Sequence, residues 1–256
     1  MDEKKTKKGT RRWLWIAAAL ILIWLLGWGY NWASYARPPL DEALAALESN
    51  DQVQVELEPW LIFKPEGTLP ETGLIFYPGG RIDPRGYAPL LRKIAARGYL
   101  VVVPSMPLNM AAFDINAADE IIAAYPGIRR WAIGGHSVGG TMAAQYTSRH
   151  LDLISGLVIW ASFPADSADL SKADLPASTI YGTLDPRANP ASVLERANLL
   201  PPGTVFAAIE GGDHHQFGSY RIDPQEDLAL ISRADQQDQI VQATLNLLAL
   251  VDQAAR

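Results

Sequence analysis

The sequence predicts an α/β domain, a mostly parallel, doubly wound sheet with an antiparallel N-terminal edge, preceded by one N-terminal transmembrane helix. Three observations predict it. A run without a single charge, 13–36, follows a basic tail. Short apolar runs then alternate with amphipathic helical stretches to the end of the chain, the pattern of a sheet covered on both faces. The first strand of that series alternates apolar and polar residues instead, as a half-buried edge does.

Composition limits what the chain can be. With 256 residues, 48% hydrophobic and 20% charged, one core can bury most of the apolar surface without a disulfide or metal staple. Cysteine is absent, which excludes disulfide frameworks, Cys-ligated zinc, iron–sulfur clusters and a thiol nucleophile. Residues 1–12 carry six basic and two acidic side chains, a local +4; the remainder carries 16 basic and 26 acidic, or −10. An acidic body does not attract a polyanion, so no nucleic-acid partner is expected.

The basic run is explained by its neighbour. Residues 13–32 read WLWIAAALILIWLLGWGYNW, and roughly 20 apolar residues at about 1.5 Å each cross a ~30 Å hydrocarbon core. Trp13, Trp15, Trp28, Tyr30 and Trp32 stand at its two ends, where amphipathic rings favour the lipid–water interface. Lys and Arg directly before the span orient the N-terminus to the cytoplasm and the body outside. The reading is a retained signal-anchor at the cell membrane; a cleaved signal peptide, with a weak site at Ser34-Tyr35-Ala36, and a soluble buried helix are the alternatives. The expected order is a cytoplasmic tail 1–12, an anchor 13–32, a linker 33–52 broken by Pro38 and Pro39 with a short helix over 40–48, and a folded domain 53–256.

Within the domain, 53–58 is the alternating strand and 60–63 its hairpin partner. Runs buried on both faces follow at 74–77, 100–103, 131–133, 157–160, 178–181 and 205–209, with helices at 88–97, 116–124, 138–149, 190–199 and 233–251.

The chemistry falls at the ends of these strands. Gly135-His136-Ser137-Val138-Gly139 matches G-x-S-x-G between an apolar strand and a small-residue helix (Gly140, Ala143, Ala144). A nucleophilic serine on such a strained strand-to-helix turn has its Oγ at a helix N-terminus, where N–H groups favour developing negative charge. Asp185 follows the strand at 178–181; Asp166, Asp169 and Asp174 are alternatives without a strand directly before them. Two histidines, His214 and His215, follow the last strand, and on residue type alone either is a base. His136 beside the serine points away in an elbow and reads as a hydrogen-bonding residue, and His150 as a charge at a helix C-terminus.

On these motifs the chain resembles the α/β-hydrolase superfamily, over nearly the whole body. Tyr77-Pro78-Gly79-Gly80-Arg81 stands where that family keeps its oxyanion loop, and the stretches Tyr87-Ala88-Pro89-Leu90 and Arg97-Gly98-Tyr99-Leu100 are similar to the fold-5 group related to dienelactone hydrolases. Dienelactone hydrolases use a cysteine nucleophile, which this chain lacks, so their substrate is not carried over. The resemblance implies a triad of Ser137, Asp185 and His214, with His214 favoured by the family's G-G-x-H-x-x-F-G spacing. It implies an oxyanion hole from the backbone of Gly80 or Arg81 together with Val138, and no metal or organic cofactor. The expected activity is hydrolysis of a small-molecule carboxylic ester or thioester through an acyl-enzyme. An acyltransferase with the same triad, or a non-catalytic anchored binding module, is the alternative. Loop 104–110 is either an acyl-pocket lining or ordinary packing, 163–175 is the place for a small lid, and Phe217 and Tyr220 are further pocket candidates.

Overall fold

A computed structural model describes residues 3–67 and 70–254. Residues 1–2, the start of the expected basic tail, and 68–69 and 255–256 lie outside the described residues. The chain divides into two units, one ending at Tyr35 and one running from Ala36.

The first unit is a single helix, α1 (Glu3–Ala33). Its stretch Trp13–Trp32 is long and apolar enough to cross a membrane, a length and composition that signal sequences share. Its apolar residues run all round the helix instead of along one stripe, unlike those of an amphipathic surface helix.

In the second unit the strands are β1 (Val53–Glu56), β2 (Leu61–Pro65), β3 (Thr72–Tyr77), β4 (Leu100–Val103), β5 (Arg130–His136), β6 (Ile154–Trp160), β7 (Ala177–Gly182) and β8 (Val205–Ile209). They form one eight-stranded sheet in the order β1-β2-β4-β3-β5-β6-β7-β8. β2 runs antiparallel to both β1 and β4, and every pairing from β4 to β8 is parallel. The helices are α2 (Asp41–Ala45), α3 (Ala88–Ala95), α4 (Ala118–Ala124), α5 (Val138–Arg149), α6 (Pro190–Glu195) and α7 (Arg233–Gln253).

Period-two side-chain alternation sends each central strand into both cores. Leu74 and Phe76 of β3 join α3 and α7 through Leu90, Ile94, Ile240 and Leu248. Ile75 and Tyr77 of the same strand join α4 and α5 through Ile121, Ala143 and Tyr146. All six residues of β3 are therefore buried, which is why it reads as an unbroken apolar run.

Two expectations are corrected. β8, the strand beside β7 at the end of the sheet, is not buried on both faces: Val205 is 50% exposed. The stretch 33–52 belongs, from Ala36 on, to the folded unit. Pro38 and Pro39 hold the backbone extended, and that extended strap pairs on both sides. Arg37 N–H donates to Arg81 O at 2.7 Å and Asp83 N–H to Arg37 O at 3.1 Å; Leu40 N–H donates to Ser219 O at 2.9 Å and Arg221 N–H to Pro38 O at 2.8 Å. The Arg37 guanidinium also grips Glu226 through two hydrogen bonds of 2.6 and 2.8 Å, and it holds that carboxyl down at about 2.

Candidate active site

Ser137 stands between β5 and α5 with φ 53° and ψ −125°. A left-handed φ is costly for a residue with a Cβ and persists where the surroundings over-determine it. Here two glycines do so. A Cβ on Gly139 would lie 2.2 Å from Tyr77 O, and one on Gly135 would lie 2.6 Å from the same oxygen. The elbow is pressed against the end of β3, and only glycine permits that approach. Ser137 N–H is held by Trp160 O at 2.9 Å, which fixes the turn to the end of β6.

Asp185 follows β7 and is buried. Its Oδ1 accepts the N–H groups of Arg187 (2.7 Å) and Ala188 (2.8 Å), which leaves Oδ2 aimed at His214 Nδ1, 2.7 Å away. His214 follows β8, and its Nε2 lies 3.2 Å from Ser137 Oγ. A carboxylate only accepts, so Nδ1 carries the proton and Nε2 is free to accept from the serine. The structure thus brings Ser137, His214 and Asp185 into one hydrogen-bonded line. Asp166, Asp169 and Asp174 are exposed and outside it.

The loop carrying His214 is built on Asp213, a residue the sequence reading passed over. Its buried Oδ1 accepts His215 N–H (3.0 Å) and Gln216 N–H (2.9 Å), and Oδ2 accepts Leu228 N–H (3.1 Å). Gln236 of α7 accepts Asp213 N–H at 3.0 Å and donates to Asp213 O at 2.7 Å. The legible signal was an Asp two to three residues before amides it can cap.

His215 is buried, with Nδ1 3.5 Å from the Tyr220 hydroxyl; burial, helped by the neighbouring His214, pushes its pKa down. His136 is buried behind the elbow, as expected, between Tyr87 and the backbone of His214. His150 caps α5 and stacks on Tyr146 at 4.2 Å.

The oxyanion candidates divide. Arg81 N–H already donates to Asn109 O at 2.8 Å, which removes it as a donor. Among the described residues, Gly80 N–H and Val138 N–H have no acceptor. The two residues adjoin: a Cβ on Gly80 would lie 3.0 Å from Val138 Cγ1 and 2.6 Å from Met110 Sδ. Met110 therefore sits against this loop. The segment 163–175 is fastened down rather than loose, with Ala168 and Leu170 buried and Leu170 N–H bonded to Leu199 O at 2.8 Å. Phe217 and Tyr220 are buried too; Phe217 stacks on His136 at 5.6 Å and backs the site instead of lining a pocket. No group of three or more His, Asp or Glu side chains with metal-binding geometry occurs among the described residues.

Comparison with known proteins gives a consistent picture. A family model described as "Alpha/beta hydrolase family" matches residues 73–238. No curated protein matches the sequence. Among solved structures, a "predicted CIB-like hydrolase" from Thermoplasma acidophilum superposes with a TM-score of 0.55 at 18% identity, over 77% of this chain and 98% of that one. Est1E from Butyrivibrio proteoclasticus, solved with ferulic acid bound, gives 0.54 at 11% identity over 76% and 98%. A structure from work on LipS and LipT, two metagenome-derived lipolytic enzymes, gives 0.52 at 13% identity over 72% and 95%. At these identities the likeness speaks for the fold.

Proposed function

The chain belongs to the alpha/beta hydrolase family, and on that footing we propose that it is a membrane-anchored serine hydrolase cleaving a small carboxylic ester or thioester. The observation that carries the reading is His214, whose two ring nitrogens reach Ser137 Oγ at 3.2 Å and Asp185 Oδ2 at 2.7 Å.

In this reading His214 Nε2 takes the Ser137 proton as Oγ attacks the acyl carbonyl. Asp185 holds the imidazolium in orientation. The oxyanion takes hydrogen bonds from Gly80 and Val138 N–H, each donor of this kind lowering the barrier by ~2.7–4 kcal/mol. His214 then returns the proton to the leaving alcohol or thiol, and water releases the acyl group with His214 again as base. Lipolytic neighbours of the same fold favour esters over other hydrolysable bonds. Residues 13–32 form the anchor, the tail 1–12 stays cytoplasmic, and the catalytic unit stands outside, as the Lys/Arg placement favours.

A fluorophosphonate probe tests this on the full chain in detergent. Attack by Oγ on phosphorus expels fluoride and leaves a stable adduct. The expected adduct maps by mass to Ser137, disappears in His214→Ala and persists in His215→Ala. A folded chain that takes no label overturns the proposal.

A further inference from the structure

Behind the candidate triad runs a second line of hydrogen bonds. His136 Nε2 lies 3.1 Å from His214 O, His136 Nδ1 lies 2.9 Å from Tyr87 Oη, and Tyr87 Oη accepts Gly79 N–H at 3.0 Å. A carbonyl only accepts, so Nε2 carries the histidine proton. Nδ1 then accepts, the tyrosine hydroxyl donates to it, and the tyrosine oxygen is left to receive the amide. Every proton in the line has one place.

The surroundings hold it there. Tyr87 and His136 have no exposed surface, and Phe76, Phe217 and Tyr220 pack around their rings. A Cβ on Gly79 would lie 2.7 Å from His136 Nδ1 and 2.8 Å from Tyr87 Oη, so the loop is pressed onto the pair. Burial pushes His136 well below the ordinary histidine value, with His214 and His215 adding to the effect, and pushes Tyr87 well above the ordinary tyrosine value. Both are neutral, as the three hydrogen bonds require.

The line joins what the sheet leaves apart. Gly79 and Gly80 follow β3, and His214 follows β8; β5, β6 and β7 lie between those strands. Backbone bonds tie the farther parts of the two loops, through the strap at 36–40 and from Ser219 N–H to Gly86 O at 2.7 Å, and the His136 line reaches the parts nearest the serine. His136, the last residue of β5, reaches one of them directly and the other through Tyr87.

We propose that Tyr87 and His136 are a positioning pair that fixes the oxyanion loop at Gly79–Gly80 relative to the backbone of His214. The proposal rests on reading Ser137 as the nucleophile. It also gives the buried imidazole a task during turnover. When His214 gains the serine proton, its ring lies 4.7 Å from that of His136; a neutral His136 leaves the new charge to Asp185.

The test follows fluorophosphonate labelling of Ser137 in the full chain in detergent, for wild type, Tyr87→Phe, His136→Phe, His136→Gln and the Tyr87→Phe/His136→Phe double variant. Nitrogen-15 NMR of the histidine rings accompanies it. Phe at 87 keeps the ring and removes the hydroxyl; Gln at 136 keeps a donor for His214 O. The expected result is labelling ~10- to 100-fold slower at saturating probe for both Phe variants, the cost of a misplaced reacting group. Half-saturation is expected to stay within about twofold, since the pair touches no probe atom. The double variant is expected to be no slower than His136→Phe, and His136→Gln to recover part of the rate. NMR is expected to show His136 as the neutral Nε2–H tautomer. Phe variants that melt earlier yet label at the wild-type rate, or an Nδ1–H tautomer, would overturn the pair alone. A wild-type chain without label would overturn the hydrolase reading instead.

Discussion

The two ends of the parallel strands are furnished with the same kinds of side chain and put them to opposite use. At the C-terminal ends, Asp185, Asp213 and His214 are buried and each is held by two or more hydrogen bonds. At the N-terminal ends, Glu71, Arg129, Arg130, Tyr99 and Asp252 surround an open recess of about 580 Å³. Arg130 there pairs with Glu71 at 3.2 Å and Asp252 at 3.6 Å, but those carboxylates are 53% and 41% exposed. Water screens such pairs to ~0–1 kcal/mol, whereas breaking a buried set strands a desolvated group. Burial is what turns a polar cluster into a preorganised one.

The largest effect that would sharpen this contrast is at Asp185. Asp185→Asn removes the acceptor that holds the His214 tautomer, and a loss of ~10⁴ in turnover of p-nitrophenyl acetate is expected. Arg130→Ala, at the other end of the sheet, is expected to stay within about twofold in the same assay. Comparable losses at both ends would break the comparison.

Next comes the elbow itself. The Cβ of Gly139→Ala would meet Tyr77 O at 2.2 Å. Backbone cannot yield as a flexible side chain does, so a stability loss of ~3 kcal/mol or more is expected from urea unfolding. A variant as stable as wild type would show the elbow to be looser than its geometry.

The smallest effect concerns acid. His136 is buried neutral, with its folded pKa lowered by burial and by His214, His215 and Arg187 nearby. Its contribution is fully present above the unfolded value of about 6.5. It is lost progressively as pH falls below that value, since the unfolded chain then binds the proton more readily. The wild-type melting temperature is therefore expected to fall between pH 6.5 and 5, and His136→Gln to flatten that slope. His215, also lowered, retains part of it. Identical slopes for the two proteins would mean that the acid sensitivity lies elsewhere.

Much of the architecture was legible because local and global demands agree. The helix expected over 138–149 spans Val138–Arg149, and the strand expected over 100–103 is Leu100–Val103, since glycine or a turn marks each limit. The runs at 131–133 and 157–160 fell short of their strands, Arg130–His136 and Ile154–Trp160, because Gly134, Gly135 and Gly156 carry no apolar side chain to count. Ser137, Asp185 and His214 were legible as candidates by their places after strands, and their convergence needed coordinates. Tyr87 and the strap at 36–40 were not legible. Each works through backbone amides and carbonyls of distant loops, and such partners leave no periodic trace in a sequence. Arg81 failed as an oxyanion donor for the same reason: the bond from Asn109 O to its amide spans 28 positions.

Gln236 gives the assembly an order in time. It clasps Asp213 from the first turns of α7, so the loop presenting His214 lacks this part of its support until residue 236 has joined the fold. A polypeptide emerges N-terminus first, and Ser137 and its elbow are made about a hundred residues before that clasp. Asp185 and His214 are made within that interval, ahead of the helix that braces the histidine loop. In the proposed hydrolase the base is thus braced late, once α7 docks.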